Sequence, residues 1–163
     1  MPEAKICSRA QGPSRVAALA GPVVFTNGVF DLLHRGHVQC LEAARALGGS
    51  LVVGVNSDAS TRELGKGPGR PVNPQEDRAA VLAALECVSL VIVFDEATPL
   101  ALLTQLRPDI YVKGGDYRNK PLLEAELMRQ WGGSAVVLDY LPGRSTTALL
   151  ERAFHIGNME IAK

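Results

Sequence analysis

The sequence predicts an α/β chain, a mainly parallel, doubly wound sheet of five strands with helices on both faces. Three observations predict it. Short apolar runs such as Val23-Val24-Phe25-Thr26 and Leu51–Val55 recur along the chain and are too short for helices. Between them lie segments with helical spacing, for example Val38, Leu41, Ala44 and Leu47. Gly and Pro clusters mark the changes from one to the other. Strands that are apolar on both sides and alternate with helices belong to parallel sheets covered on both faces.

Residues 1–20 carry Pro2, Gly12 and Pro13 without sustained periodicity, and read as an extension or a short irregular helix. The first strand, Val23–Thr26, is bounded by Gly21-Pro22 and Asn27-Gly28. A helix over Val38–Leu47 stops at Gly48-Gly49, and the second strand is Leu51–Val55. Gly65-Lys-Gly-Pro-Gly-Arg-Pro71 is a loop. Asn73 caps the next helix, with Pro74 at its first position and Glu76 completing the capping pattern, and the helix runs through Arg78, Val81, Leu82 and Leu85. Leu90–Phe94 is the third strand, followed by a helix from Thr98-Pro99 to Leu106. The fourth strand, Ile110–Lys113, runs into the loop Gly114-Gly115-Asp116. A helix over Glu124–Trp131, a strand over Ala135–Leu138 and a last helix from Ser145 complete one domain over residues 21–163. In such sheets ligands bind beyond the C-terminal ends of the strands, where strand order reverses.

Composition narrows the function. A chain of 163 residues buries enough surface to need no disulfide or metal staple. Seventeen basic against seventeen acidic residues argue against a nonspecific nucleic-acid binder or a polybasic membrane-surface protein. A 47% hydrophobic content with 21% charged residues excludes a disordered chain. Cys7, Cys40 and Cys87 are irregularly spaced, with no CxxC. Cys40 and Cys87 sit in apolar runs and read as core thiols, reduced, in a cytoplasmic protein. No run approaches the roughly 20 apolar residues of a membrane span. The apolar stretch after Arg15 is broken by Gly21-Pro22 and feeds the first strand, so it is not read as a secretion signal.

Two of the three histidines, His34 and His37, stand three residues apart at the start of a helix, just after the first strand. Helix N-termini favour anions, and two imidazoles there can donate to phosphate oxygens as charge develops in phosphoryl transfer. The same pair can also bind zinc with Asp31 as third ligand, or be structural. No further histidine is placed to complete a zinc site, since His155 lies near the C-terminus. Lys66 and Arg70 in the glycine loop read either as solvated or as a lid carrying positive charge over phosphates. Ser145-Thr146-Thr147 reads as an N-cap or as a phosphate-receiving helix start. Asp116 reads as a turn former or a nucleotide contact, and Arg78 as an exposed salt-bridge partner or a substrate ligand.

Gly28-Val-Phe-Asp-Leu-Leu-His-Arg-Gly-His37 resembles the GxFDxxHxGH motif of the cytidylyltransferase-like nucleotidyltransferases, which have a Rossmann-like fold. Val52–Asp58, Arg70–Pro74, Val112–Tyr117 and Gly143–Thr147 resemble successive blocks of one branch, the bacterial D-glycero-β-D-manno-heptose 1-phosphate adenylyltransferases. The resemblance spans about residues 23–152. It implies transfer of AMP from ATP to a sugar 1-phosphate with release of pyrophosphate, in ADP-heptose synthesis for lipopolysaccharide core or related glycans. A sugar phosphate is already an anion, so no general base is needed; the task is to hold anions in line.

The resemblance further implies that Thr26, Asn27, Gly28, Val29 and Phe30 line the nucleotide, with Gly36 beside them. His34 and His37 would hold the α-phosphate and the leaving phosphates, and Lys66 would act with them. Lys113, Gly114, Gly115 and Asp116 would receive the base, and Arg144, Ser145, Thr146 and Thr147 the β- and γ-phosphates. Asp31, Asn56, Asp58, Arg70 and Arg78 would serve the sugar phosphate. Mg²⁺ would be held chiefly by the triphosphate oxygens, because no carboxylate cluster offers a cage. Arg35 occupies the variable position between the histidines and adds a cation. The larger bifunctional relatives carry a sugar kinase before this domain. The resemblance therefore suggests a free-standing form that acts with a separate kinase, as a homodimer. A glycerol 3-phosphate cytidylyltransferase and a nucleotide-binding module without turnover are the alternative readings.

Overall fold

The computed structural model describes residues 1–65, 67–115, 122–139, 143 and 145–161, with the backbone alone for 157–161. A 3-10 turn over Pro2–Lys5 leads into β1 (Ile6–Cys7), α1 (Gly12–Ala17), β2 (Val23–Gly28) and α2 (Arg35–Arg45). β3 (Ser50–Asn56), α3 (Asp58–Glu63), α4 (Gln75–Ala84) and β4 (Leu90–Phe94) follow. The chain then forms α5 (Leu100–Leu106), β5 (Ile110–Gly114), α6 (Leu123–Arg129), β6 (Ser134–Leu138) and α7 (Thr146–Ile161).

The sheet has six parallel strands in the order β1-β4-β3-β2-β5-β6. The five-strand expectation is one short. The sixth is β1, from the segment read as an extension, paired to the edge of β4 through Ile6↔Val91 and Cys7↔Ile92. Two residues carry no periodicity, so only the partner strand defines it. Phe25, Val52, Ile92 and Tyr111 point to one face, packing with Val16 of α1, Leu102, Leu103 and Leu106 of α5, and Met128 of α6. Val24, Val53, Val91 and Val112 point to the other, against Leu41 and Ala44 of α2 and Leu82 and Ala83 of α4. Both faces are therefore apolar, and β3 is buried along its whole length.

From β2 the chain winds outward through β3 to β4, then crosses back to lay β5 on the other side of β2. The reversal places a crevice between the C-terminal ends of β2 and β5. The start of β3 is set by a close approach. A Cβ on Gly49 would stand 2.4 Å from the Gly21 carbonyl oxygen, and the Gly49 N–H donates to Pro22 at 2.8 Å.

Candidate active site

Beyond the ends of β2 and β5 lies a cavity of about 290 Å³. Its walls include Thr26 to Asp31 from β2 and the turn after it, Gly114 of β5, His37 of α2, Arg70, and Thr146 and Thr147 of α7. Residues remote in sequence thus meet at the strand-order reversal. Phe30 is held at φ 49°, an uncommon backbone for a non-glycine residue, and packs against the His37 ring at a centroid distance of 5.3 Å.

His34 is the N-cap residue of α2 in extended conformation, and its side chain makes no cap hydrogen bond. His37 stands one turn further on, and the two imidazoles stack with centroids 3.8 Å apart and planes at 18°. His34 lines a second cavity of about 310 Å³ with Arg35, Ser145 and Arg152, between the start of α2 and α7. Of the stacked pair, His37 lines the first cavity and His34 the second. Burial, reinforced by the neighbouring His34, holds the His37 imidazole down at about 4, so it is neutral at pH 7. Its Nδ1 is buried with no hydrogen-bond partner among the described residues. A neutral imidazole in this position has unspent hydrogen-bonding capacity.

Asp31 is fully buried as a side chain and anchors the segment that follows the glycine loop. Its Oδ1 accepts from the N–H of Val72 at 2.8 Å and of Asn73 at 3.0 Å, and its Oδ2 pairs with Arg70 Nε. Burial pushes this carboxyl up, but the Asn73 and Val72 N–H groups and the Arg70 guanidinium outweigh it and hold it below the usual carboxylate range. The carboxylate is thus committed to positioning Arg70 at the cavity wall. It is not available as a third zinc ligand, and no group of three or more metal-binding side chains converges among the described residues.

The structure does not bring every expected residue to the cavity. Arg78 is 1% exposed, which corrects the expectation of an exposed partner. Its Nη1 donates to Val29 O at 2.6 Å, its Nε to Asn73 O at 3.0 Å and its Nη2 to Asp58 Oδ1 at 2.7 Å. Arg78 and Asp58 thereby tie the turn after β2 to α3 and α4, behind the cavity. Asn56 is likewise spent on Ser60 Oγ at 2.9 Å and Glu96 O at 3.3 Å. Asn73 does not cap α4; Pro74 stands at the cap, and the Asn73 amide donates to Asp31 O at 2.9 Å. Ser145 Oγ accepts from Ala148 N at 3.1 Å as a cap, while Thr146 and Thr147 face the first cavity. Gly36 is buried in α2, and Gly115 donates to Leu138 O at 3.0 Å. Lys66, Asp116 and Arg144 lie outside the described residues.

Other contributors emerge from the fold. Cys40 lines the first cavity and is only partly buried, as is Cys87; Cys7 is the core thiol. Burial raises the Cys40 thiol, so it stays protonated at pH 7. Cys40 and Leu41 lie three and four residues after His37 on one helix, a spacing that places them on its face. Arg152 lies two turns after Ser145 on α7 by the same logic. On the other side of the sheet the Tyr111 hydroxyl lies 2.9 Å from Asn27 Oδ1 and 3.3 Å from Glu124 Oε1, and Lys113 Nζ is 3.4 Å from that carboxylate.

The family model described as cytidylyltransferase-like matches residues 25–142. The chain belongs to the cytidylyltransferase-like family. It is 57% identical over 150 residues to the D-beta-D-heptose 1-phosphate adenylyltransferase of Bordetella bronchiseptica, covering 91% of this chain and 93% of that one. It is 62% identical over 140 residues to the bifunctional protein HldE of Streptomyces coelicolor, of which it spans 30%. Among solved structures, a lipopolysaccharide core biosynthesis protein from Thermoplasma volcanium aligns with a TM-score of 0.59 at 31% identity, over 73% of this chain and 95% of that one. A pantoate-beta-alanine ligase from Francisella tularensis shares the fold, at a TM-score of 0.59 and 15% identity over 86% of this chain and 68% of that one. The cytidylyltransferase-like match starts within β2 and takes in α2 with its N-cap, and so includes both histidines. No helix among the described residues is long and apolar enough to cross a membrane.

Proposed function

We propose that this chain transfers AMP from MgATP to the phosphate of D-glycero-β-D-manno-heptose 1-phosphate, giving ADP-heptose and pyrophosphate. The observation that carries the chemistry is the stacked His34–His37 pair at the start of α2, one ring lining each of two cavities. The name and near full-length match of the Bordetella relative support the choice of acceptor.

The acceptor phosphate is already anionic, so its oxygen attacks the α-phosphorus without a general base and pyrophosphate leaves in line. The chain supplies position and charge. The nucleoside occupies the first cavity, against Thr26 to Phe30 and Gly114, with the α-phosphate at His37. The β- and γ-phosphates lie toward His34, Ser145, Arg35 and Arg152 around the second cavity. His37, neutral before ligand binds, donates one N–H, and an approaching triphosphate favours its protonated form as charge develops. Arg70, held by Asp31, faces the acceptor phosphate; Lys66 is assigned with the histidines to the charge of the phosphates, and Asp116 and Arg144 to the nucleotide. Mg²⁺ arrives as part of the substrate, on the triphosphate oxygens. A sugar kinase reaction supplies the heptose 1-phosphate, and the protein works in the cytoplasm as a homodimer.

Pyrophosphate release should be measured with each of the four nucleoside triphosphates against heptose 1-phosphate, glucose 1-phosphate and glycerol 3-phosphate. The proposal expects the ATP and heptose 1-phosphate pair to exceed every other. Preferred turnover of CTP with glycerol 3-phosphate would replace it with the cytidylyltransferase reading.

A further inference from the structure

Glu124 sits on α6, on the face of the sheet away from the histidines, yet it connects to the cavity. The residue is 9% exposed, and its Oε1 lies 3.3 Å from the Tyr111 hydroxyl and 3.4 Å from Lys113 Nζ. Both distances are long for charge-assisted bonds, and taking a carboxylate out of water is unfavourable unless it is closely paired. Such a loosely compensated carboxylate is a poor stabiliser. Its place in the fold gives it another role, because the same Tyr111 hydroxyl lies 2.9 Å from the Asn27 side chain, and Asn27 lines the cavity at the end of β2.

We propose that Glu124 is a positioning residue for nucleotide selection, acting through the Tyr111 phenol to fix which end of the Asn27 amide is left for the ligand. The inference rests on the nucleotidyl-transfer reading of the first cavity. A phenol carries one proton and serves one acceptor at a time. A carboxylate is the stronger acceptor, so the proton goes to Glu124. The phenol oxygen then accepts from Asn27 Nδ2; the two ends of an amide exchange places with no change in heavy-atom positions. The Asn27 carbonyl oxygen is left uncommitted, an acceptor matched to an N–H or O–H donor on the nucleotide. Without Glu124 the phenol proton returns to the Asn27 carbonyl, and the amide offers its NH₂ to that donor instead. Lys113 balances the carboxylate charge from β5, next to Gly114 of the cavity wall.

The experiment is calorimetric binding of the four nucleoside triphosphates to the whole chain and its variants, with thermal midpoints and pyrophosphate release recorded for each. Glu124→Leu is expected to weaken the preferred nucleotide about tenfold, the equivalent of about 1.4 kcal/mol, and the others less, so that discrimination narrows. Glu124→Gln keeps an acceptor for the phenol and should restore most of the loss. Tyr111→Phe should weaken binding in the same sense, and Tyr111→Phe combined with Glu124→Leu should be no worse than the worse single change. Glu126→Gln, on the exposed side of the same helix, should bind as wild type. A Glu124→Leu protein that melts lower but binds and discriminates as wild type overturns the proposal. So does a Glu124→Gln protein as impaired as Glu124→Leu, or additive losses from Tyr111 and Glu124. If wild type binds a nucleotide but releases no pyrophosphate with heptose 1-phosphate, the functional reading fails, while the binding series still decides the role of Glu124.

Discussion

Asp31→Asn probes the anchor of the acceptor side. The carboxylate is buried and serves three donors, the N–H groups of Val72 and Asn73 on one oxygen and Arg70 Nε on the other. An amide offers one acceptor oxygen. Whichever way it sits, its NH₂ faces either Arg70 or the two backbone donors. Breaking a buried ion pair from one side costs about 3–5 kcal/mol, and the hydrogen bonds Asn retains put this case near the low end, about 3 kcal/mol. A domain of this size loses about 2–4 °C of Tm per kcal/mol, so the variant should melt about 6–12 °C below wild type. Calorimetric melts at neutral pH measure it. The folded-state carboxyl is held below its unfolded value, so its contribution is full above the unfolded value and disappears as pH falls through the folded one. The gap between wild type and variant should accordingly narrow toward pH 3. Coincident melts at neutral pH, or a gap that does not shrink on acidification, would refute the anchor.

Three further outcomes follow from the same geometry. His37→Ala and His34→Ala should each lower kcat about 10²–10³-fold while changing ATP affinity far less, by stopped-flow turnover set against calorimetric binding; near-normal kcat makes that histidine structural. Imidazole NMR of the ligand-free chain should show His37 neutral down to about pH 4, and its share of stability, full above pH 6.5, should be lost as pH falls from 6.5 toward 4; a titration near 6.5 contradicts the buried, His34-facing environment. Arg78→Met leaves the Val29 and Asn73 carbonyls and the Asp58 carboxylate short of a donor, and should cost about 3 kcal/mol in a urea melt; an unchanged midpoint would return Arg78 to a surface role.

The strands were legible because each is apolar on both sides; Leu90–Phe94 was bounded to the residue. β1 was not, since two residues become a strand only by meeting β4. α3 was missed because its six residues, Asp58–Glu63, carry no apolar stripe. The capping motif at Asn73 misled because Asp31, 42 positions away, captures both its side chain and its backbone N–H. Sequence left Arg78 open between a substrate ligand and an exposed salt-bridge partner because helix polarity is a local signal, whereas its burial depends on acceptors supplied by Val29, Asp58 and Asn73. The histidine pair and the strand-end residues Thr26 to Phe30 were legible for the opposite reason: spacing along β2 and α2 fixes them locally. Glu124 had no such mark, since its link to Asn27 exists only where β5 lies beside β2.

The proposed reaction moves the α-phosphorus of ATP to the sugar phosphate. Incubation of the protein with heptose 1-phosphate and ATP labelled with ³²P in turn at the α and γ positions tests it most directly, with products separated by chromatography. The α label should appear in a sugar nucleotide and the γ label in pyrophosphate, with His37→Ala forming both far more slowly. Transfer of the γ label to the sugar, or release of pyrophosphate with no labelled sugar nucleotide, would contradict the account.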